Sequence, residues 1–286
     1  MTVRKAVIPA AGLGTRLLPL TKEIPKEMLP LFDEKGGFLF KPLIQIVFER
    51  LYEAGIREFC IITGRGKRAI EDHFSRDDGY LKFLESIGKH ELIEKLKSLY
   101  EAVETTRLLW INQPKPTGLG AAVLLAEPFA GEEPFIVHAG DTYIASNNYL
   151  GMMLEFFEEA RPEILFLTAR VPDPSSYGIL EEYQEDGGLY HVYKVVEKPE
   201  APKTNLAIVP VYIFTPRIFE ALKKVRPSVN GEIQLTDAIQ IMAKDNRVCA
   251  MELHEDYIDI GKPESYLKAL EKSLELCQRF LSKHGR

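Results

Sequence analysis

Short apolar runs alternate with amphipathic helical segments through the first two-thirds of this 286-residue chain. Runs of strand length stand at about 4–9, 57–63, 107–111, 134–138 and 163–171. Such alternation is typical of a mainly parallel sheet that is covered by helices on both faces. The pattern therefore predicts an α/β fold, a Rossmann-like three-layer sandwich.

Later segments predict additions to this sheet. Residues 177–184 and 189–196 alternate like strands across Glu185-Asp186-Gly187-Gly188, which is a hairpin signal. Residues 206–214 form a third extended run. The central sheet is therefore expected to be mixed but mainly parallel.

Three helical segments complete the expected organisation as a single domain over residues 1–286. Pro42 opens a helix that Gly55 closes, and residues 80–104 form a charged helical insertion that we expect to lie over the surface as a solvated flap. A last helix is expected near 263–284, with an apolar stripe of Leu267, Leu270, Leu274, Cys277 and Leu281. We expect this stripe to pack on its own domain rather than on another subunit, because it spans few heptads.

Charge and cysteine content exclude several classes of protein. A net charge of −6 argues against a general nucleic-acid or acidic-membrane binder, although a local cluster of cations can still bind a small anion. Cys60, Cys249 and Cys277 are far apart and form no C-x-x-C pair, which fits a reducing compartment. The N-terminus lacks the apolar core of a secretory signal and no stretch approaches a membrane span, so we expect a cytoplasmic protein.

The N-terminal loop carries the strongest chemical signal. The apolar run that ends at Ala11 leads into Gly12-Leu13-Gly14-Thr15-Arg16, and Lys26 follows ten residues later. Glycines allow a sharp turn and a close approach of the backbone to an anion. Because Arg offers a planar fork and Lys a point charge, this loop predicts a site for a polyphosphate such as a nucleoside triphosphate.

Rival phosphate-binding motifs fail on spacing. Leu17 stands where the dinucleotide fingerprint needs its third glycine, which excludes a nicotinamide-dependent dehydrogenase of that type. Gly64-Arg65-Gly66-Lys67 lacks the four-residue spacer of a P-loop and is followed by Arg68. A plain strand-to-helix turn is the alternative interpretation of the N-terminal loop.

Further polar residues follow other strands. Gln113 and Gly118 stand between the third run and a helix, where an amide can read a nucleobase edge or the segment can be a simple turn. Asp141 comes directly after a strand and Asp259 is flanked by apolar residues, so both are candidate Mg²⁺ ligands or loop caps. Glu197 and Lys198 end a hairpin strand.

These motifs, taken in order, resemble those of the bacterial UTP–glucose-1-phosphate uridylyltransferases, a family of sugar nucleotidyltransferases. The resemblance spans residues 7 to about 267 and rests on Pro9-Ala10-Ala11-Gly12-Leu13-Gly14-Thr15-Arg16, Ile24-Pro25-Lys26-Glu27-Met28-Leu29-Pro30, Gly118-Leu119-Gly120, Gly140-Asp141, Ser176-Tyr177-Gly178, Val196-Glu197-Lys198-Pro199 and Gly231-Glu232-Ile233-Gln234-Leu235-Thr236-Asp237-Ala238. It implies the nucleotide-diphospho-sugar transferase type of fold.

The resemblance also implies a role for each site residue. Arg16, Lys26 and Asp141 would be the catalytic groups, and Asp141 and Asp259 would hold Mg²⁺. The nucleotide would lie against Ala10, Ala11, Gly12, Gly14, Gln113 and Gly118, and the sugar phosphate against Gly178, Glu197, Lys198 and Asn205.

The implied reaction is attack by an oxygen of glucose 1-phosphate on the α-phosphorus of UTP, in line with the departing pyrophosphate, to give UDP-glucose. The nucleophile is already an anion, so the site must mainly bring two polyanions together and stabilise the charge on the leaving group. The resemblance implies a homo-oligomer, a dimer or tetramer.

Two departures from the family pattern leave alternatives open. Ala121 follows Gly120 where relatives usually have His, and Pro210 interrupts a run in which they usually have a small residue. A glucose-1-phosphate thymidylyltransferase that uses dTTP is therefore one alternative, although Ile24-Pro25-Lys26-Glu27-Met28 and the 231–238 motif favour uridylyl transfer. A non-catalytic sugar-nucleotide-binding module is the alternative from another class, although the chain keeps the phosphate cations and both acids.

Overall fold

A computed structural model describes residues 2–33, 39–228, 230–244 and 247–284. The strands are β1 (Lys5–Pro9), β2 (Pro30–Asp33), β3 (Leu39–Pro42), β4 (Glu58–Thr63), β5 (Arg107–Asn112), β6 (Phe135–His138), β7 (Thr142–Ile144), β8 (Ile164–Arg170), β9 (Gly178–Asp186), β10 (Leu189–Glu197), β11 (Leu206–Phe214), β12 (Val248–Glu252) and β13 (Tyr257–Asp259). The helices are α1 (Leu43–Glu53), α2 (Arg68–His73), α3 (Asp78–Ser86), α4 (His90–Glu104), α5 (Leu119–Leu125), α6 (Glu127–Ala130), α7 (Tyr149–Ala160), α8 (Arg217–Leu222), α9 (Leu235–Ala243) and α10 (Pro263–His284). Short 3₁₀ helices span Thr15–Leu17, Leu20–Lys22, Lys26–Met28 and Pro174–Ser176.

Nine strands form the main sheet in the order β5-β4-β1-β6-β11-β8-β12-β10-β9. The strands β5, β4, β1 and β6 pair in parallel, as do β8 and β12, whereas β11 and β10 run against their neighbours. Two small antiparallel sheets join β13 to β7 and β2 to β3. The expected α/β protein with a mixed sheet is therefore confirmed, and the predicted hairpin strands β9 and β10 extend the sheet.

The main sheet buries apolar side chains on both faces. In β1, Ala6 and Ile8 belong to one core cluster while Val7 belongs to the other, as the two-residue period of a strand requires. Residues of α1 and α7 pack in the first cluster, and residues of α5, α8 and α9 pack in the second. The carboxyl ends of the parallel strands thus emerge at one edge, between two packed faces.

The helices lie where the sequence predicts them, but the residues that they bury are not always the predicted ones. The segment 80–104 forms α3 and α4, which are mostly exposed, but Leu99 and Ala102 join the core. The C-terminal helix α10 packs on β2 and β13 of its own chain. The stripe predicted for that helix is wrong at Leu267, which is 55% exposed.

Small residues explain why the buried face of α10 differs from its leucine stripe. Ala269, Ser273 and Cys277 are fully buried, and the Ser273 hydroxyl accepts a hydrogen bond from the Phe32 amide at 3.2 Å. Small side chains let the helix approach the backbone of β2 closely, which leucine would prevent. No helix in the described ranges has the length and apolar character needed to cross a bilayer.

One buried histidine lies at the carboxyl end of β6. His138 is 1% exposed, its Nδ1 lies 2.9 Å from the Ala139 carbonyl oxygen and its Nε2 lies 2.8 Å from the Tyr149 hydroxyl. A neutral ring satisfies both partners, because Nδ1–H donates to the carbonyl and Nε2 accepts from the hydroxyl. Burial lowers the pKa of His138 from 6.5 to about 4.

The depressed pKa of His138 makes the stability of the fold sensitive to acid. Below pH 6.5 the histidine binds a proton in the unfolded chain, but in the folded chain it stays neutral until about pH 4. The free energy of unfolding therefore falls as the pH falls through this window. Between pH 7 and 4.5, we expect this group to remove about 2 kcal/mol from the free energy of unfolding. Urea unfolding of the wild type and of His138→Gln at both pH values measures this loss in the free energy of unfolding.

Comparing the two proteins isolates the effect of His138, because the carboxylates titrate in both. On acidification, the free energy of unfolding of the wild type should fall by about 2 kcal/mol more than that of His138→Gln. Equal losses in the two proteins would show that His138 is not held neutral in the folded state.

Candidate active site

A cavity of about 500 Å³ opens at the carboxyl edge of the parallel strands. Loops that follow β1, β5 and β6 contribute to its wall, as do residues of the small β7–β13 sheet. Ligands of open α/β sheets bind at this edge. Among the residues predicted from sequence, it is lined by Ala11, Gly12, Gly14, Arg16, Lys26, Gln113, Gly118, Asp141 and Asp259.

An ion pair lies at the centre of this cavity. The Lys26 Nζ donates a short hydrogen bond to Asp141 Oδ2, and the two side chains are 12% and 22% exposed. Burial alone would lower the pKa of Lys26, but the attraction of Asp141 leaves it raised. Burial alone would raise the pKa of Asp141, but Lys26 holds it below its ordinary value, so both groups are charged near neutral pH.

The second predicted acid lies beside the first. Asp259 ends β13 and is paired in register with Thr142 of β7, and the Ile260 amide donates to the Asp141 carbonyl at 3.2 Å. Burial and then the charge of Asp141 raise the pKa of Asp259. Arg16 partly offsets this repulsion, with its Nη2 3.6 Å from Asp259 Oδ2.

Two carboxylates with neighbouring cations form a donor set suited to a hard divalent ion. Within the described part of the chain, no group of three or more His, Cys, Asp or Glu side chains is placed to hold a metal. Mg²⁺ uses few protein carboxylates and takes its other oxygens from phosphates and water. The pair Asp141 and Asp259 fits that ion better than it fits zinc, which needs three or four protein ligands.

The glycine loop is fixed by main-chain contacts to the sheet. The Ala10 amide donates to the Ile62 carbonyl at 2.8 Å, and Ala10 is buried and does not line the cavity. A side chain on Gly12 would lie 3.6 Å from Lys26 Nζ. The absence of side chains there leaves room above the loop, beside the ammonium group.

The predicted nucleobase residues lie against a second loop. Gln113 is buried, and its Nε2 donates to the Gly118 carbonyl at 3.4 Å. The Ile233 carbonyl accepts from the Gly120 amide at 3.0 Å, and the Ile233 amide donates to the Thr117 carbonyl at 2.8 Å. The 231–238 motif therefore supports the 117–120 turn through its backbone.

Three of the four predicted sugar-phosphate residues lie together beside the cavity. Gly178 pairs with Glu197 between β9 and β10, and Lys198 Nζ lies 3.2 Å from Glu197 Oε1. Asn205 is exposed before β11, and its carbonyl accepts from the Val171 amide at 3.0 Å. None of the four lines the cavity itself, but the ring of Tyr177, next to Gly178, is 6.3 Å from Tyr257, which does.

Several residues with no role assigned from the sequence contact the predicted site residues or lie next to them. The Thr236 hydroxyl donates to Glu197 Oε2 at 2.7 Å, and Lys67 Nζ lies 2.6 Å from Glu27 Oε2. Thr142 follows Asp141 in the chain, and its buried hydroxyl has no hydrogen-bond partner among the described residues. Thr236 and Glu27 lie inside quoted motifs, but no local pattern in the sequence indicates their distant partners.

Comparison with known proteins identifies relatives over almost the whole chain. The model of the family described as "Nucleotidyl transferase" matches residues 5–275. The chain is 42% identical over 271 residues to a UTP–glucose-1-phosphate uridylyltransferase of Bacillus subtilis (strain 168), covering 93% of this chain and 89% of the relative. It is 40% identical over 272 residues to a putative UTP–glucose-1-phosphate uridylyltransferase of Methanocaldococcus jannaschii, with 93% and 92% covered.

Solved structures show the same likeness in three dimensions. A UDP-glucose pyrophosphorylase complexed with UDP-glucose has a TM-score of 0.82 at 35% identity, with 96% of this chain and 99% of that chain covered. A UTP-bound enzyme of this name from Acinetobacter baumannii has a TM-score of 0.82 at 31% identity, with 98% and 99% covered. The family resemblance found in the sequence motifs is therefore confirmed.

The close approach of Gly118 to the 231–238 motif makes a prediction about stability. Gly118 has φ +96°, and a Cβ on it would lie 2.7 Å from the Ile233 carbonyl oxygen. Alanine there must both adopt a strained backbone and displace Ile233, so we expect a loss of about 2–4 kcal/mol in the free energy of unfolding. Urea unfolding measures this loss.

Gly55 is the matched control for that substitution. It has φ +95°, and a Cβ on it would meet nothing within 4 Å. Gly55→Ala should therefore cost about 1–2 kcal/mol from backbone strain alone. If Gly118→Ala costs no more than Gly55→Ala, the contact with Ile233 does not constrain the turn.

Proposed function

Since the chain belongs to the nucleotidyl transferase family, we propose that it transfers the uridylyl group of UTP to glucose 1-phosphate. The products are UDP-glucose and pyrophosphate. The main support for this function is the cavity at the carboxyl edge of the sheet. A glycine loop, the cations Arg16 and Lys26 and the carboxylates Asp141 and Asp259 all line it. Relatives named for this reaction cover almost the whole chain.

The charges of the cavity suit a displacement between two phosphate-bearing substrates. Lys26 is mostly buried, so its ammonium acts with little screening by water, whereas the Arg16 side chain is half exposed. In our proposal Lys26 and Arg16 bind the triphosphate and stabilise the charge that grows on the departing pyrophosphate. Holding both substrates in line supplies the rest of the acceleration.

We propose that Asp141 and Asp259 hold Mg²⁺. Their adjacent strands bring the two carboxylates together, and their mutual repulsion is the electrostatic setting that a divalent cation relieves. When bound there, the ion supplies charge neutralisation and orientation of the triphosphate. Lys26 pairs with Asp141 in the structure and is placed to pass to a phosphate oxygen as substrate binds.

The nucleobase and the sugar phosphate are proposed to bind on opposite sides of this centre. The buried amide of Gln113 and the backbone of Gly118 are suited to the donor and acceptor edge of uracil. Glu197, which accepts from Thr236, is suited to sugar hydroxyls. Lys198 is 57% exposed and can reach a phosphate. Gly178 lets Thr236 and Glu197 pack against its backbone, because a Cβ there would lie 2.8 Å from Thr236 Oγ1 and 3.1 Å from Glu197 Oε2. Asn205 lies just before β11.

Our proposal also covers the domain organisation, the oligomeric state and the compartment of the protein. We propose a single nucleotidyltransferase domain of the Rossmann-like sandwich type, supported by the family match over residues 5–275. The family resemblance supports a homo-oligomer, a dimer or tetramer. Cys60, Cys249 and Cys277 are buried and are joined by no disulfide within the described ranges, which supports a reducing compartment such as the cytoplasm.

A direct assay tests this function. The purified protein is incubated with Mg²⁺ and glucose 1-phosphate, with UTP or dTTP in parallel, and the nucleotide sugar is identified by mass alongside released pyrophosphate. We expect UDP-glucose to form faster than dTDP-glucose, and activity to vanish with EDTA and return with added Mg²⁺. A preference for dTTP would indicate a thymidylyltransferase, and no pyrophosphate with either nucleotide would contradict the proposal.

Removal of the central carboxylate should stop the reaction. Asp141→Ala leaves Lys26 without its partner and removes one proposed metal ligand, so we expect turnover to fall by about 10³-fold or more. The fold should survive, because the side chain lies in a cavity rather than in the apolar core. Steady-state kinetics and thermal unfolding of the same preparation measure the two effects.

Asp186→Ala is the matched control, because Asp186 is exposed at the hairpin between β9 and β10. It should retain the turnover of the wild type. Full activity of Asp141→Ala would refute the role of Asp141.

A further inference from the structure

A second buried ion pair, between Glu27 and Lys67, lies next to the pair of Lys26 and Asp141, and its carboxylate residue Glu27 also lines the cavity. Glu27 and Lys67 are 1% and 6% exposed, and Lys67 Nζ lies 2.6 Å from Glu27 Oε2. Lys67 belongs to the Gly64-Arg65-Gly66-Lys67 segment after β4, which fits no phosphate-binding motif. A buried ion pair is weak evidence for stability, because the cost of removing two charges from water offsets their attraction.

The position of Glu27 connects this pair to the catalytic centre. Glu27 follows Lys26 within the 3₁₀ helix Lys26–Met28, so a tether on Glu27 also fixes the backbone that carries Lys26. Its Cγ lies 3.5 Å from the position that a Cβ on Gly140 would take, next to Asp141. Glu27 therefore packs between the residue that carries the ammonium and the strand end that carries the carboxylate.

The segment that carries Lys67 is itself fixed to the nucleotide loop. A Cβ on Gly64 would lie 3.1 Å from the Ala11 carbonyl oxygen, so the two backbones are in close contact. The Lys67 amide donates to the Gly64 carbonyl at 3.3 Å, and the Lys67 carbonyl accepts from Ile70 at the start of α2. Lys67 is thus anchored by main-chain contacts at the sheet edge, whereas the Lys26–Met28 turn is one short 3₁₀ helix.

We propose that Lys67 is a positioning residue, which acts through Glu27 to hold the Lys26 ammonium over the glycine loop, where the triphosphate binds. The inference rests on the proposed function for its consequence in catalysis. Lys67 does not line the cavity, so it acts through Glu27 rather than by contact with substrate. A displacement of a catalytic group by about 1 Å can reduce rates by about 10²-fold, which is the scale of effect expected here.

Three variants separate positioning from stability. Lys67→Met leaves Glu27 buried without its partner, so both the melting temperature and kcat should fall. Glu27→Gln/Lys67→Met removes both charges, so the melting temperature should recover while kcat remains at least about 10-fold below that of the wild type. Glu27→Gln alone keeps the shape of the side chain, but it replaces the charge-assisted hydrogen bond to Lys67 by a weaker neutral one and leaves the Lys67 ammonium without its counter-ion. Both the melting temperature and kcat should therefore fall, kcat by about 10-fold.

The KM for glucose 1-phosphate distinguishes an effect on Lys26 from an effect on the sugar site. Because the pair acts on Lys26 and not on the sugar site, the KM for glucose 1-phosphate should stay within about threefold of that of the wild type in all three variants. Arg68→Met is the control, since Arg68 is the next residue, is exposed and pairs only at 3.6 Å with Asp72 among the partners described. It should match the wild type in both kcat and melting temperature.

A crystal structure of the double variant gives a readout that does not depend on activity. The Lys26 Nζ should leave Asp141 Oδ2 or lose a single defined position. If kcat recovers together with the melting temperature in the double variant, or if Glu27→Gln has the kcat of the wild type, or if Lys26 stays on Asp141 in the double variant, the positioning role is refuted. A wild type that forms no UDP-glucose would refute the proposed function, and the crystal structure would still decide whether the pair positions Lys26.

Discussion

The attraction between the Lys26 ammonium and the Asp141 carboxylate is the interaction on which the rest of the site depends. Burial of either charge alone is costly, and the pairing keeps both ionised in a cavity that water reaches only in part. Asp259 adds a second negative charge, which the nearby Arg16 guanidinium partly offsets. The site therefore holds nearly balanced charges before substrate arrives, and a cation and a polyanion can exchange into it without leaving a charge unpaired.

The fold supplies this balance through main-chain contacts rather than through side chains alone. Parallel strands bring the loops after β1, β4, β5 and β6 to one edge, because their carboxyl ends coincide there. Close contacts between backbones, such as that of Gly118 with Ile233 and that of Gly64 with Ala11, then fix those loops against each other. The buried pair of Glu27 and Lys67 extends the same arrangement to the turn that carries Lys26.

Much of this arrangement could be predicted from the sequence, because it rests on local patterns. The strand positions follow from apolar runs. Arg16, Lys26, Gln113 and Asp141 stand in loops after such runs, and their common site was implied by the family resemblance of the motifs. The convergence of Asp259 required β13 and β7, which have three residues each and leave no periodic signal. Lys67 could not be recognised because its partner is 40 residues away.

Helix packing also depends on contacts between distant residues, which local sequence patterns do not indicate. The leucines of α10 predicted the wrong face at Leu267, because close approach to β2 selects the small residues Ala269 and Ser273. Hydrophobicity along one helix carries no information about how near the opposing backbone lies. Contacts of that kind depend on the assembled fold rather than on the segment.

A crystal structure of the protein with UTP and Mg²⁺ tests the role of the Lys26–Asp141 pair most directly. We expect Lys26 Nζ to leave Asp141 for an oxygen of the triphosphate, and Asp141 and Asp259 both to coordinate the ion. A structure in which Lys26 stayed on Asp141 while the metal bound away from both carboxylates would refute this role.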